Sequence, residues 1–197
     1  SPSRTGEHQC SRHAEDEVTG ESRMLNSTRV TLREIEETDL DTIVKWRNDP
    51  DTIRYLFSYL PLNMHRQAKW FESYNADRTS QLFMIEDAAD HCRIGTCGFT
   101  SIDYRNQRAE LSIIIGEKTY LGRGYASEAT RLLIDYGFLT LNLRKIYLQV
   151  LETNAAAIKL YRRLGFEVEG TLKEHYFQDG TFVNVILMCK FRQTVQG

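Results

Sequence analysis

The stretch Gly122-Arg123-Gly124-Tyr125-Ala126-Ser127 decides how the rest of the chain is interpreted. It lies between an apolar run, Ala109–Gly116, and a long periodic segment, Ser127–Leu141. This order predicts a strand, a glycine loop and a helix. Glycines let backbone N–H groups approach a phosphate, and the helix dipole favours the negative charge. The stretch therefore predicts a phosphate site at the start of a helix.

Two common phosphate motifs do not match this loop. A P-loop needs Lys and then Ser or Thr after its second glycine, where this chain has Tyr125 and Ala126. A dinucleotide fold needs a third glycine, and Ser127 stands in its place. A simple tight turn is the structural alternative, so the surrounding sequence has to identify the ligand.

The bulk properties describe an ordinary globular protein. The chain of 197 residues has 41% hydrophobic and 26% charged residues and a net charge of −2, which gives no electrostatic case for nucleic acid. No apolar run is long enough to span a bilayer, and no signal peptide is visible. The four cysteines lack the pair spacing of a zinc site. We therefore expect a cytoplasmic protein with reduced thiols, no bound metal and no membrane or nucleic-acid partner.

The composition divides the chain into a tail and one domain. Ser1–Arg23 has a single Val and no Leu, Ile, Phe, Tyr or Trp, so it cannot bury much surface. We expect a flexible N-terminal tail over residues 1–25 and a domain over residues 26–197.

Hydrophobic periodicity and turn signals predict seven strands and five helices in the domain. The strands are Thr28–Glu34, Gln81–Glu86, Ile94–Asp103, Gln107–Gly116, Arg144–Leu151, Phe166–Phe177 and Thr181–Phe191. The helices are Asp39–Arg47, Asp51–Leu56, Asn63–Asn75, Ser127–Leu141 and Asn154–Leu164. Asp179-Gly180 predicts a hairpin between the last two strands.

Three segments together resemble the GNAT acetyltransferases over about residues 28–191: the strand Arg108–Gly116, the loop Leu121–Glu128 and the segment Asn154–Phe166. The resemblance implies an α/β (α+β) fold. Its mixed, mostly antiparallel sheet has about seven strands, is flanked by helices and splays at the strand before the cofactor-binding helix. It also implies acetyl-CoA as cosubstrate.

The same resemblance assigns cofactor contacts. The backbone of Ile113, Ile114 and Ile115 is expected to pair with the pantetheine arm like an added strand. The loop is expected to hold the pyrophosphate, with Arg123 adding a cation and Tyr125 packing or bracketing the cofactor. Asn154 is expected to cap its helix, to bond the pantetheine, or both. The full expected set is Ile113, Ile114, Ile115, Leu121, Gly122, Arg123, Gly124, Tyr125, Ala126, Ser127, Asn154, Ala157 and Tyr161.

Two residues are expected to be catalytic. Tyr161 matches the tyrosine that protonates the departing thiolate in this family; a core tyrosine is the alternative, because Ala157, Tyr161 and Leu164 share one helical stripe. Glu110 is the candidate base that takes a proton from the amine, and a surface ion pair with Arg105 or Arg108 is its alternative. No cysteine is expected in the site, which favours direct attack without an acetyl-enzyme intermediate.

The acceptor is expected to be a small primary amine, and three subfamilies look similar: spermidine, amino-sugar-nucleotide and ribosomal-protein alanine acetyltransferases. A polyamine would use acidic residues, for which the candidates are Glu36, Glu37, Asp39, Asp49 and Asp51. A sugar nucleotide would use cations, for which they are Arg47, Arg54, Arg66 and Lys69. A protein N-terminal acetyltransferase and a non-catalytic acyl-CoA-binding domain are alternative functions. A homodimer through the closing strands is possible.

Overall fold

The computed structural model describes residues 24–193, and these form one sheet with helices on both faces. The strands are β1 Leu25–Asn26, β2 Val30–Glu34, β3 Gln81–Asp87, β4 Arg93–Asp103, β5 Arg108–Ile115, β6 Lys145–Leu151, β7 Glu167–Gln178 and β8 Thr181–Phe191. The α-helices are α1 Leu40–Asn48, α2 Pro50–Ile53, α3 Met64–Ala76, α4 Tyr125–Asp135 and α5 Ala155–Arg163. Short 3-10 turns span Glu37–Asp39 and Lys118–Tyr120.

The sheet order is β1-β2-β3-β4-β5-β6-β8-β7, and every pair is antiparallel except β5 with β6. This confirms the expected mixed, mostly antiparallel sheet, with eight strands instead of about seven. The additional strand is β1, whose Leu25 pairs with Leu32 and packs against the core. The expected boundary between tail and domain falls inside β1, and residues 1–23 lie outside the described part of the chain.

The sheet splays between β5 and β6. Their parallel pairing covers only Arg108–Glu110 against Lys145–Tyr147. Beyond Glu110, β5 remains paired with β4 as far as Ile115, and β6 remains paired with β8 as far as Leu151. The facing edges of the two strands are therefore open, and the expected splay at the strand before the glycine helix is confirmed.

Side chains of β3 alternate between the two faces of the sheet, and helices cover both faces. Phe83 and Ile85 belong to the main core cluster, with residues of α4 and α5. Met84, between them, packs with Trp46 of α1 in a second cluster on the opposite face. A Cβ on Gly116 would overlap the Trp46 indole, so α1 lies directly against the end of β5.

Helix α4 differs from the single helix Ser127–Leu141 that the sequence predicts. Helix α4 begins two residues earlier, at Tyr125, and ends at Asp135. The following residues, Tyr136–Thr140, form a π-helical turn. Gly137 lies in this turn, where a Cβ would come within 2.7 Å of the Phe99 ring. The closing hairpin turns at Asp179 and Gly180, both with positive φ, as the Asp-Gly pair predicts.

The described part of the chain, residues 24–193, contains no helix long and apolar enough to cross a membrane.

Candidate active site

A cleft of about 980 Å³ opens where β5 and β6 separate. We call its two parts the cofactor half, between Ile113–Ile115, the glycine loop and α5, and the acceptor half, along α1, α2 and α3. Glu110 and Tyr161 line the same cleft. The expected cofactor residues that line it are Ile113, Ile114, Ile115, Leu121, Gly122, Gly124, Ala126, Ser127, Asn154, Ala157 and Tyr161.

The glycine loop is open toward this cleft. Gly122 and Gly124 have φ values of 72° and 91°, in the left-handed region that glycine adopts without strain. Gly124 is the N-cap residue of α4, and within residues 24–193 no side chain caps this end. The first N–H groups of α4 are therefore left for a ligand, and the helix dipole favours an anionic one. This is the geometry that the sequence predicts for a pyrophosphate.

Arg123 and Tyr125 do not line the cleft, although both belong to the expected cofactor set. The Arg123 guanidinium lies 5.5 Å from the Tyr120 ring centroid and donates to the Thr119 carbonyl at 3.3 Å. Tyr125 is buried, and its hydroxyl donates to Asp87 at 2.6 Å, which raises its pKa. The Tyr125 side chain is therefore turned into the core, whereas the exposed Arg123 side chain lies over Tyr120, and their contacts with a cofactor remain predictions.

Arg29 fixes this loop from the other end of the chain. Its guanidinium donates to Glu128 on the first turn of α4 at 2.8 and 3.0 Å and to the Arg123 carbonyl at 3.1 Å. Glu128 also accepts from the Ser27 hydroxyl at 2.7 Å. Arg29 could not be predicted from the sequence, because no local pattern connects residues 99 positions apart.

Asn154 caps α5, and half of its amide remains available. Its Oδ1 accepts from the Ala157 N–H at 3.1 Å. Its Nδ2 has no hydrogen-bond partner within residues 24–193, and the residue lines the cleft. The capping role is confirmed, and the second expected role, a bond to pantetheine, remains geometrically open because it uses the other end of the amide.

Tyr161 is 7% exposed and faces the cleft from α5. Its ring packs edge-on against Phe166 at 5.7 Å between centroids. Burial raises the pKa of its hydroxyl to about 12. The side chain is therefore part of the core and protonated at neutral pH, and its role as general acid remains a prediction.

Glu110 stands at the point where the strands separate, as the last β5 residue paired with β6. Gln149 on β6 donates to its carboxylate at 3.2 Å. The ion pair that the sequence offered as an alternative is not formed, because Arg108 contacts Asp103 instead, at 3.5 Å. The Glu110 carboxylate therefore faces the cleft without a cationic partner among the described residues.

Cys97 corrects the expectation that no cysteine reaches the site. It lies on β4 opposite Ile113 and contributes to the cleft wall. Its side chain is almost fully buried, and burial raises the pKa of the thiol far above its ordinary value. Because the thiolate is the nucleophilic form, this cysteine is a poor acyl carrier, and direct attack by the amine remains the expected route.

The acceptor half contains one of the carboxylates expected for a polyamine and one of the cations expected for a sugar nucleotide. These two residues are Asp51 and Arg47. Asp39 is buried and paired with Arg33 and Arg93, so it does not reach the cleft. Arg54, Arg66 and Lys69 do not line the cleft. Neither expected set is gathered there as a group.

A splayed strand beside an uncapped glycine-opened helix is the framework of an acyl-CoA-dependent transferase. Residues 29–167 match the family model described as an acetyltransferase (GNAT) domain, and the chain belongs to this family. As a member, it is an N-acetyltransferase with acetyl-CoA as cosubstrate.

Two relatives and a solved structure support this assignment. The chain is 35% identical over 169 residues to spermidine N(1)-acetyltransferase of Escherichia coli K12, which covers 86% of this chain and 89% of the relative. It is 33% identical over 177 residues to the uncharacterized N-acetyltransferase p20 of Bacillus licheniformis, over 88% and 98% of the two chains. Vibrio cholerae spermidine N-acetyltransferase in complex with CoA and spermine matches with a TM-score of 0.80 and 32% identity, over 84% and 96% of the two chains.

Proposed function

We propose that this protein acetylates a small primary amine by direct attack on acetyl-CoA, with Tyr161 as general acid and Glu110 as general base. The observation that carries the proposal is that both side chains line one cleft at the point where β5 and β6 separate. This is the border between the cofactor half and the acceptor half, where the thioester and the amine have to meet.

The proposed reaction conserves atoms and charge. The neutral amine attacks the thioester carbon, a C–N bond forms, and a tetrahedral intermediate collapses as the C–S bond breaks. Glu110 first accepts a proton from the bound ammonium, directly or through water, to give that neutral amine; at collapse Tyr161 donates its proton to the departing sulfur, and the nitrogen loses its extra proton to water. The tyrosinate then regains a proton from water, and Glu110 releases one.

Burial changes the difference in pKa between Tyr161 and the departing thiol, and this difference determines how favourable the proton transfer is. A thiol has an ordinary pKa near 8.5, well below the value of about 12 for the buried Tyr161, so proton transfer to a fully solvated thiolate would be uphill. Inside the cleft the thiolate is desolvated as well, and Cys97 on the same wall shows how burial raises the pKa of a thiol. The two values therefore approach each other in the site.

A thiol-release assay on Tyr161→Phe tests the acid. We expect kcat to fall by about 100-fold or more, the usual contribution of general acid catalysis, with an unchanged Kd for CoA. The matched control is Tyr104→Phe, which removes an exposed hydroxyl outside the cleft. Full turnover in Tyr161→Phe with normal CoA binding would remove the acid assignment.

The acceptor is identified by the same assay. The names of the relatives make spermidine the first amine to test. An amino-sugar nucleotide and a peptide with an N-terminal alanine represent the other two subfamilies. Binding of CoA without thiol release for any amine would favour a non-catalytic acyl-CoA-binding domain.

The assembly and location are part of the proposal. A Vibrio cholerae neighbour, at a TM-score of 0.74, is described as dodecameric, which supports a homo-oligomer, with the homodimer as its smallest form. The expected reduced thiols hold for Cys97 and Cys189 but not for Cys92, which is disulfide-bonded, so the proposed cytoplasmic location does not rest on the cysteines. Light scattering on the purified protein and cell fractionation test the two statements; a monomer would contradict the first.

A further inference from the structure

Gln67 is a buried amide without a partner. It lies on α3, is 1% exposed and lines the acceptor half of the cleft. Neither its Oε1 nor its Nε2 has a hydrogen-bond partner, and within residues 24–193 these are the buried side-chain polar atoms left unsatisfied. Buried polar groups in proteins are almost always hydrogen-bonded, and exceptions mark a function or a missing ligand. A ligand with hydrogen-bonding oxygens would satisfy this amide.

Arg47 lies in the same half of the cleft, at the end of α1. The preceding residue, Trp46, is held by a hydrogen bond from its Nε1 to Glu117 at 2.9 Å, so the helix is fixed in place. Arg47 is partly buried, and burial lowers the pKa of its guanidinium. Among the described residues no carboxylate pairs with it.

Arg33 is another partly buried arginine of this protein and, unlike Arg47, is paired with carboxylates. Its guanidinium donates to Asp39 at 2.7 and 2.9 Å and to Glu86 at 2.7 Å. Burial alone would lower the pKa of Arg33, but the bonds and charges of these carboxylates raise it well above its ordinary value. Arg47 lacks such partners, so its positive charge remains uncompensated.

The carboxylate nearest in sequence to Arg47 on the cleft wall is already occupied. Asp51 accepts from Lys118 at 2.8 Å, and the same ammonium contacts Asp49 at 3.0 Å. This end of the cleft therefore combines the positive charge of Arg47 with the buried, unpartnered amide of Gln67.

We infer that Arg47 and Gln67 form a subsite for an anionic oxygen group carried by the acceptor amine. The inference rests on the proposed function and names its substrate class: a primary amine with a carboxylate or phosphate at its far end. A guanidinium binds either group through charge-assisted hydrogen bonds, and the Gln67 amide adds a neutral donor. A polyamine would bring a second ammonium toward Arg47, where like charges repel each other.

An acceptor panel with matched variants tests this subsite. The probes are spermidine, 4-aminobutyrate for a carboxylate, and glucosamine 6-phosphate and UDP-glucosamine for a phosphate. We expect the highest kcat/KM for an anionic amine. Comparison of the carboxylate probe with the two phosphate probes then identifies which anionic group the subsite binds. In Arg47→Gln, KM for that amine should rise by about tenfold or more, with little change in kcat, because a charge-assisted bond is lost.

Three further variants separate binding from folding. Arg54→Gln removes a nearby positive charge outside the cleft and should leave KM unchanged. Arg47→Lys should recover part of the lost affinity. Gln67→Leu should raise KM for the anionic amine while Tm stays equal or increases, because an unsatisfied buried amide is removed. A purely structural glutamine would give a lower Tm and an unchanged KM.

Two results would overturn the inference. One is a wild-type preference for spermidine over every anionic amine; the other is an unchanged KM in both Arg47→Gln and Gln67→Leu. Either result leaves acetyl transfer to an amine standing. The absence of thiol release with any amine would contradict the proposed function itself, so the two failures are distinguishable.

Discussion

At the scale of single residues, Glu110 offers the sharpest test of the mechanism. Its carboxylate faces the cleft beside Gln149. If it takes the proton of the amine, Glu110→Gln should lower kcat/KM by about 100-fold at neutral pH. The deficit should shrink as pH rises toward 10, because a larger fraction of the amine is then neutral without help. A pH profile of kcat/KM for both proteins measures this.

Titration of Tyr161, the other proposed catalytic residue, does not interfere with this pH profile. Tyr161, with a pKa of about 12, stays protonated over the whole range and cannot account for a change below pH 10. If the deficit of Glu110→Gln were constant across pH, the carboxylate would be a positioning group and another route for the proton would be needed.

Prediction from sequence succeeded where residues are close together in the chain. The loop Gly122–Ser127 and the cap at Asn154 depend on neighbours a few positions away. Gln67, Arg29 and Gln149 were missed, because their roles depend on residues brought close by the fold. Arg29 meets Glu128 across 99 positions, and Gln149 meets Glu110 across 39.

At the scale of elements, the contact between α1 and the end of β5 positions the acceptor half. In Gly116→Ala, the new methyl group would overlap the indole of Trp46, which is 3% exposed and held by Glu117. We expect a loss of about 1–3 kcal/mol in the free energy of unfolding, the usual range for overpacking. KM for the acceptor should also rise, because Arg47 follows Trp46 on α1, while Kd for CoA changes less.

Gly170→Ala is the matched control for this substitution. A Cβ at Gly170 would meet only Leu187, at an ordinary distance of 3.8 Å. Urea unfolding and acceptor kinetics on both variants measure the difference. Equal stability of the two proteins would show that α1 moves freely and does not fix the acceptor half.

The elements also show what periodicity leaves out. An apolar stripe with a period of 3.6 residues predicts one helix over Ser127–Leu141. It does not predict the wider π-helical turn at Tyr136–Thr140. In this turn Gly137 packs against Phe99, and no local sequence pattern predicts that contact. Strand β1 was missed for a simpler reason, since two residues are too few for an alternating pattern.

At the scale of the whole molecule, the order of elements could be predicted from the sequence, whereas their arrangement could not be predicted from periodicity alone. Alternation identified each long strand to within about two residues. The parallel pairing of β5 with β6 and the reversed order of β7 and β8 depend on contacts between distant segments. The expected splay came from the family resemblance.

The short junction between β5 and β6 has a consequence for the cooperativity of unfolding. Strands β1–β5 and β6–β8 share three residue pairs and are otherwise joined by the side chains of one core cluster, so without a ligand we expect the two parts of the sheet to open as partly independent folding units. A cosubstrate lying in the cleft contacts both parts and stabilises only the joined state. We expect CoA to raise Tm and to slow amide hydrogen exchange at Ile113–Ile115 on one side and Gln149–Leu151 on the other. Protection confined to the glycine loop would contradict this; protection on both sides would make CoA a structural bridge that unites the two folding units into one.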